Sequence, residues 1–231
     1  MSRMFKTVTR TWPIFSGCRF GCTYCWARGL IEGRLAHLAR YRNGFQPTFH
    51  AEELKQIVVS QFKPGDFVGV ALMGDISFAT AWELDAIVEV TRRFPQTSFL
   101  LQTKDPASFW RLESLHLTNV YYGATIESNL CNVANLAPAP VLRCQAMRSL
   151  KVPHKFLSIE PILDFELPGL VEWVQAIGPE IVEVGADNYN HHLREPPWSK
   201  VETLLAELRK FVPTVVEKDG LTRLRKEGNE P

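Results

Sequence analysis

The chain has 231 residues, 45% of them apolar and 22% charged, with a formal net charge of +1. That length suits one sizeable core and does not call for two, and the composition is that of a soluble globular chain rather than a disordered one. A charge so near zero excludes a bulk electrostatic pull toward nucleic acid or membrane, though not a local basic patch.

The first residues lack the continuous apolar stretch of a signal peptide, and no run is long enough to span a bilayer. The expectation is a cytoplasmic protein with no membrane partner, a single domain over 1–231 with a short C-terminal strand and tail over 213–231. There are five cysteines, Cys18, Cys22, Cys25, Cys131 and Cys144, three of them within eight positions. An odd count so clustered does not form a disulfide framework. In a reducing compartment such a group holds metal or reacts.

Short β-like runs alternate with amphipathic helical runs. The pattern predicts a strand over 6–12 leading into a cysteine loop at 16–27, and then a helix over 26–40. A second helix is expected over 51–62, where Leu54, Ile57, Val58 and Phe62 share a face. Residues 67–73 are a continuous apolar run, suited to a strand covered on both sides. Thr80 and Glu83 have capping-box spacing and open a helix to about Phe94. A strand follows over 98–102, and Asp105-Pro106 starts another helix. Strands over 120–126, 155–159 and 181–186 alternate with helices over 140–150 and 168–177. Ser199 and Glu202 form a second capping-box pattern before a helix carrying Val201, Leu204, Leu205 and Leu208. The last strand is short, over 214–216.

About six alternations predict a parallel sheet. It closes either as a full or partial βα barrel or as an open doubly wound sheet, and periodicity does not choose between them. In both, loops after strand C-termini carry the site. That rule singles out 73–75, 102–104, 127–129, 160–161, 187–188 and 217–218.

The cysteine loop has C-x3-C-x2-C spacing. Thiolates are the usual ligands of iron–sulfur clusters, one per iron. Three on a four-iron cube leave one iron open to bind a substrate or cofactor. Gly17 and Gly21 permit the backbone turns that wrap such a group. Two other readings stand beside this one. A structural zinc would need a fourth ligand from distant His50, Cys131 or Cys144. A redox pair at Cys22 and Cys25 leaves Cys18 without a role.

The spacing resembles the radical S-adenosylmethionine superfamily, whose signature also has an aromatic residue before the third cysteine, here Tyr24. The resemblance implies a partial (βα)6 TIM-like barrel with its cluster loop after the first strand. It implies a 4Fe-4S cluster on Cys18, Cys22 and Cys25, with S-adenosyl-L-methionine chelated by the open iron. It implies reductive cleavage to a 5′-deoxyadenosyl radical that abstracts hydrogen, with an external electron donor of flavodoxin or ferredoxin type.

Met73-Gly74-Asp75 stands where the superfamily often has Gly-Gly-Glu, which bonds the methionine amino group; the other reading is that Asp75 caps a turn. Thr125, Glu127, Ser128 and Asn129 fall where superfamily members place polar groups against the ribose and carboxylate, or they form an ordinary polar loop. Glu160 follows a buried apolar run, a costly position unless the side chain is paired or at the mouth of a site. Lys104 and Lys218 end strands on the same rim and would pair with Asp75, Glu160 or Asp187 or bind an anion. Cys131, Lys104 and Asp187 are the candidate catalytic residues. Cys131 would donate a hydrogen atom, or is a small buried residue. Cys144, near Met147, is expected in the core, and vicinal His191 and His192 do not suggest a metal site.

Over most of the chain the motif order resembles the phage- and prokaryote-associated three-Cys-motif branch. The carriers are Thr11-Trp12-Pro13, Met73-Gly74-Asp75, Leu101-Gln102-Thr103-Lys104, residues 123–127, residues 156–161 and Val184-Gly185-Ala186. Where that branch has a Gly-Gly-Glu-Ser-type loop, this chain has Gly185-Ala186-Asp187-Asn188. The branch is distantly similar to spore photoproduct lyase. The implied reaction is hydrogen abstraction from a small molecule or modified nucleobase. The alternatives are a DNA-lesion lyase with Cys131 as donor, and a zinc-stabilised binding module without catalysis. The substrate, the fate of the methionine cofactor and the oligomeric state stay open.

Overall fold

The computed structural model describes residues 4–130 and 135–227. In chain order its strands are β1 (Arg10–Trp12), β2 (Phe15–Gly17), β3 (Thr48–Phe49), β4 (Phe67–Val70) and β5 (Met73–Gly74). They continue as β6 (Ser98–Thr103), β7 (Val120–Thr125), β8 (His154–Ile159), β9 (Ile181–Val184) and β10 (Thr214–Glu217). The helices are α1 (Trp26–Glu32), α2 (Gln56–Val59), α3 (Ala81–Arg93), α4 (Trp110–Glu113), α5 (Pro140–Ser149), α6 (Leu167–Ile177), α7 (Trp198–Leu208) and α8 (Leu221–Glu227).

Seven strands form one sheet in the order β1-β4-β6-β7-β8-β9-β10. Every adjacent pair is parallel. A doubly wound sheet reverses its order at a switch point. This one never reverses, so the chain winds one way throughout. The sheet curls into a partial TIM-like barrel, as expected.

Side chains alternate across each strand. Phe99, Leu101 and Tyr122 face outward with Leu84, Ile87 and Val88 of α3. Leu157, Ile159, Val182 and Val184 pack with Leu170 and Val174 of α6 and Leu204 and Leu205 of α7. Leu100 and Phe156 point the other way, where Phe5 and Val8 pack on them. The N-terminal segment therefore fills the barrel interior, and the backbone N–H groups of Lys6 and Thr7 donate to the buried Glu183 carboxylate at 3.0 and 2.9 Å. That bonding shortens the strand expected over 6–12, because its first residues bond Glu183 rather than a ladder.

Other boundaries moved for local reasons. The apolar run 67–73 breaks after Val70, where Ala71 takes a φ of 58°, and Met73–Gly74 joins a second sheet. The helix expected over 26–40 stops at Glu32, capped by Gly33. The helix expected over 51–62 is a 3-10 turn, Ala51–Leu54, followed by the short α2, with extended Lys55 between them. The Thr80–Glu83 capping box forms in both directions. The second does not: α7 starts at Trp198 with Pro197 as its cap, so Ser199 already lies inside the helix.

The small sheet positions the cysteine loop. Its order is β3-β2-β5, with β2 antiparallel to β3 and parallel to β5. Gly17 has a φ of +84°, and a Cβ there would lie 2.2 Å from the Gln46 carbonyl oxygen. A Cβ on Gly74 would lie 2.8 Å from the Gly17 carbonyl oxygen. Only glycines let these two backbones approach so closely.

Candidate functional site

A cavity of about 520 Å³ opens at the C-terminal ends of the parallel strands. Cys18, Cys22 and Cys25 all line it. Around the rest of the rim stand Gly74, Asp75, Lys104, Thr125, Glu160, Asp187 and Lys218, one group from nearly every strand end. Tyr24 also reaches it. The topology thus brings together residues up to 200 positions apart in sequence.

The thiols are partly exposed. Cys18 Sγ accepts from the Phe20 N–H, and Cys25 Sγ from the Arg28 N–H, both at 3.4 Å. Burial, then the neighbouring Asp75 carboxylate, pushes the Cys18 thiol up to about 12. Burial also raises Cys22, against the lowering effect of Lys104. Such thiols ionise when a metal takes the proton's place. Among the described residues no three His, Cys, Asp or Glu side chains converge on one ion position. A four-iron cube does not ask for that, since each thiolate binds a different iron.

Two of zinc's candidate fourth ligands are engaged elsewhere. His50 is buried with Nε2 2.8 Å from Ser16 Oγ. Cys144 packs in the core on the outer face of the sheet. Cys131 lies outside the described residues.

Asp75 is buried and well bonded. Its Oδ1 accepts from Ser77 N at 3.0 Å, Ser77 Oγ at 2.7 Å and Thr103 Oγ1 at 2.5 Å, and its Oδ2 from Lys104 N at 2.8 Å. It caps a turn and also ties the end of β5 to the end of β6. Only Oδ2 keeps spare acceptor capacity toward the cavity. Met73 does not line the cavity; its sulfur accepts from Tyr41 Oη at 3.5 Å.

Glu127 and Ser128 do not line the cavity either. Ser128 Oγ donates to the Asp164 carbonyl at 2.6 Å and accepts from Leu130 N at 2.9 Å, holding its own loop. Glu127 is 0% exposed. Its carboxylate accepts from Tyr24 Oη, from Lys104 Nζ and, at 2.8 Å, from Arg143 Nη1. Burial alone would raise its carboxyl, but Lys104 and Arg143 outweigh that and hold it below its ordinary value. Lys104 Nζ also donates to Tyr24 Oη at 2.9 Å. The partner of Lys104 is therefore Glu127, not Asp75, Glu160 or Asp187.

Glu160 pairs with Lys218 and accepts from Asn188 Nδ2 at 3.2 Å, while burial raises its carboxyl. Asp187 accepts from His191 Nδ1 at 2.6 Å and from Tyr189 N at 3.2 Å. Burial would raise Asp187, but bonds from His191 and Tyr189 prevail and lower it.

Arg143 was not singled out from the sequence, and Gln102 entered only as part of the strand-end segment 102–104. Arg143, Ala146, Met147 and Leu150 have i, i+3, i+4, i+7 spacing, so a charge heading an apolar stripe was the available signal. Gln102 lines the cavity, is 8% exposed and donates through Nε2 to Thr125 Oγ1 at 2.9 Å. Its Oε1 is buried with no hydrogen-bond partner. That oxygen lies against Gly123 rather than in the cavity. Three thiols on the wall of a cavity of this size, with Asp75, Thr125 and Glu160 around it, fit a cluster and a polar organic cofactor.

Residues 4–181 match the family described as Protein of unknown function (DUF5131), and the chain belongs to that family. No curated protein matches the chain. Solved structures do. A double mutant of spore photoproduct lyase with bound AdoMet and dinucleoside spore photoproduct is 13% identical, with a TM-score of 0.63 over 89% of this chain and 75% of that one. A single mutant of the same enzyme is 14% identical, with the same TM-score and coverage. Streptococcus suis SuiB bound to precursor peptide SuiA is 11% identical, with a TM-score of 0.63 over 94% of this chain and 50% of that one. At these identities the likeness is one of fold. Among the described residues no helix is long and apolar enough to cross a membrane.

Proposed function

We propose that this chain is a radical S-adenosylmethionine enzyme, with Cys18, Cys22 and Cys25 holding a 4Fe-4S cluster. One observation carries the reading: a C-x3-C-x2-C loop opens all three thiols onto one cavity at the C-terminal rim of a singly wound parallel barrel. Bound there, the cluster would supply the electron that cleaves S-adenosylmethionine to a 5′-deoxyadenosyl radical, which takes hydrogen from the substrate.

The chain's own residues do the rest. Gly17 and Gly74 let the cysteine loop lie against the end of β5. Tyr24 anchors the loop to Glu127 and Lys104. Asp75, Thr125 and Glu160 present acceptors and a hydroxyl to the cofactor, and Gln102 orients the Thr125 hydroxyl by donating to it. Asp187, oriented by His191, faces the same space and is the candidate group for handling a substrate proton. An external reductant of flavodoxin or ferredoxin type is the expected partner.

The test is anaerobic reconstitution with iron and sulfide. Four irons per chain and a charge-transfer absorbance that Cys22→Ala abolishes support the reading. A colourless protein holding one zinc and no iron contradicts it.

For the substrate the reading is a small molecule or modified nucleobase, which would reach the radical from the same rim. Likeness to an enzyme solved with a dinucleoside spore photoproduct favours one specific alternative, a lesion lyase with Cys131 as hydrogen donor. Under it, lesion-containing dinucleotide binds, and Cys131→Ala changes the product distribution. Failure of that dinucleotide to bind excludes it.

A further inference from the structure

The cysteine loop lies between two kinds of charge. At Cys18 the neighbour is the Asp75 carboxylate, which is bonded by the neutral donors Ser77, Thr103 and the Lys104 N–H and by no cation. At Cys22 the neighbours are Lys104, Glu127 and Arg143. Arg143 is 1% exposed. Its Nε donates to the Pro138 carbonyl at 2.6 Å and its Nη1 to the Thr125 carbonyl at 3.0 Å, so it is locked in place. Lys104 is largely buried and bonded to the same carboxylate. One carboxylate thus faces two cations.

We propose that Lys104, Glu127 and Arg143 are a charge-setting group for the cysteine loop, whose surplus positive charge favours the reduced state of the iron–sulfur group bound there. The proposal rests on the cluster reading above. Tyr24 joins the group directly to the loop: it accepts from Lys104, donates to Glu127, and lies between Cys22 and Cys25 in sequence. A cluster held by three thiolates becomes more negative when it gains an electron, and no bond to the protein forms or breaks. Net charge near a cluster is one of the terms that set its potential. Buried charges are weakly screened, so a fixed cation on this flank acts on that added electron. Across the cavity Glu160 is paired to Lys218 and Asp187 to His191. The Lys218 ammonium faces the Glu160 carboxylate, and Asp75 on the Cys18 flank is the anion that the surplus cation offsets.

The experiment is a mediated potentiometric titration of anaerobically reconstituted protein with dithionite, read from the EPR signal of the reduced cluster. Lys104→Met removes a cation and lowers the midpoint potential. Glu127→Gln removes the anion and raises it. Lys104→Arg keeps the charge and keeps the potential close to wild type. Opposite signs are the result expected of charge; damage to packing alone gives no reason for them. Unchanged potentials in Lys104→Met, or shifts of one sign in both charge-removing variants, overturn the proposal. Should Glu127→Gln not fold, the contrast between Lys104→Met and Lys104→Arg decides, and equal potentials there overturn it. Wild-type protein that takes up no cluster overturns the cluster reading itself and the proposal with it.

Discussion

Glu127→Leu leaves Arg143 buried at 1% exposure with no anion to meet it. Breaking a buried pair from one side costs about 3–5 kcal/mol, because an uncompensated charge stays inside. For a chain of this length that is a fall of roughly 6–20 °C in melting temperature. Arg143→Met is milder, since Glu127 keeps Lys104 and Tyr24. The double variant removes the second buried charge as well, though it leaves Lys104 without its carboxylate, so it recovers part of the loss rather than all of it. It should therefore recover at least about 2 kcal/mol relative to the sum of the singles. The assay is urea unfolding of all four proteins at pH 7, comparing midpoints at constant slope. The pair also has a pH signature. Glu127 is held below its ordinary carboxyl value near 4.5, so its stabilisation is complete above that pH and is lost as pH falls. Wild type should lose stability more steeply below about pH 4.5 than the double variant. Singles that add without coupling, and a double variant with the same acid sensitivity as wild type, would refute the reasoning.

Three further expectations follow from other parts of the structure. Gln102→Leu removes the donor that orients the Thr125 hydroxyl at the cavity wall, so ligand-free stability falls by about 1 kcal/mol and calorimetry shows S-adenosylmethionine affinity about tenfold weaker; unchanged affinity would separate Gln102 from the cofactor. Gly17→Ala drives a Cβ into the Gln46 carbonyl and should block cluster loading, whereas Gly21→Ala has a φ of +66° and open space around it and should cost only about 1–2 kcal/mol; absorbance after reconstitution compares them. Asp187 is held below its ordinary carboxyl value, so the loop it organises is stable above that range and loosens as pH falls through it. Protection of the Tyr189 and His191 amides, relative to their intrinsic exchange rates, should fall in acid, and Asp187→Asn should show low protection at every pH.

Much of the barrel could be read before the structure was known. The strands near 98–103, 120–125 and 154–159 came within a residue or two of their ends, because each carries a short apolar or aromatic centre, such as Phe99–Leu101, between turn signals. What hydropathy could not show was where such a run changes sheets. Val70 and Met73 belong to one apolar stretch, yet a positive φ at Ala71 sends them to different partners. The choice between a barrel and a doubly wound sheet was equally hidden, since it depends on strand order rather than strand content.

The site divides in the same way. Cysteine spacing is local, and it put all three thiols on one cavity wall. The partner of Lys104 is not local. It depends on β6 pairing Thr103 with Ala124 of β7, which sets the lysine at the level from which it reaches Glu127. Glu127 itself was legible as a polar strand-end residue, but its depth was not, because the second cation comes from α5. The same holds for Asp187, whose orienting partner is His191, four residues on in a loop without regular structure.

The central claim is radical chemistry from a three-thiol cluster, and the most direct measurement is 5′-deoxyadenosine. Reconstituted protein is reduced with dithionite, incubated with S-adenosylmethionine under anaerobic conditions, and assayed by liquid chromatography and mass spectrometry. The account predicts product from wild type and none from Cys22→Ala. Absence of product from wild type carrying an intact, reduced cluster would contradict it.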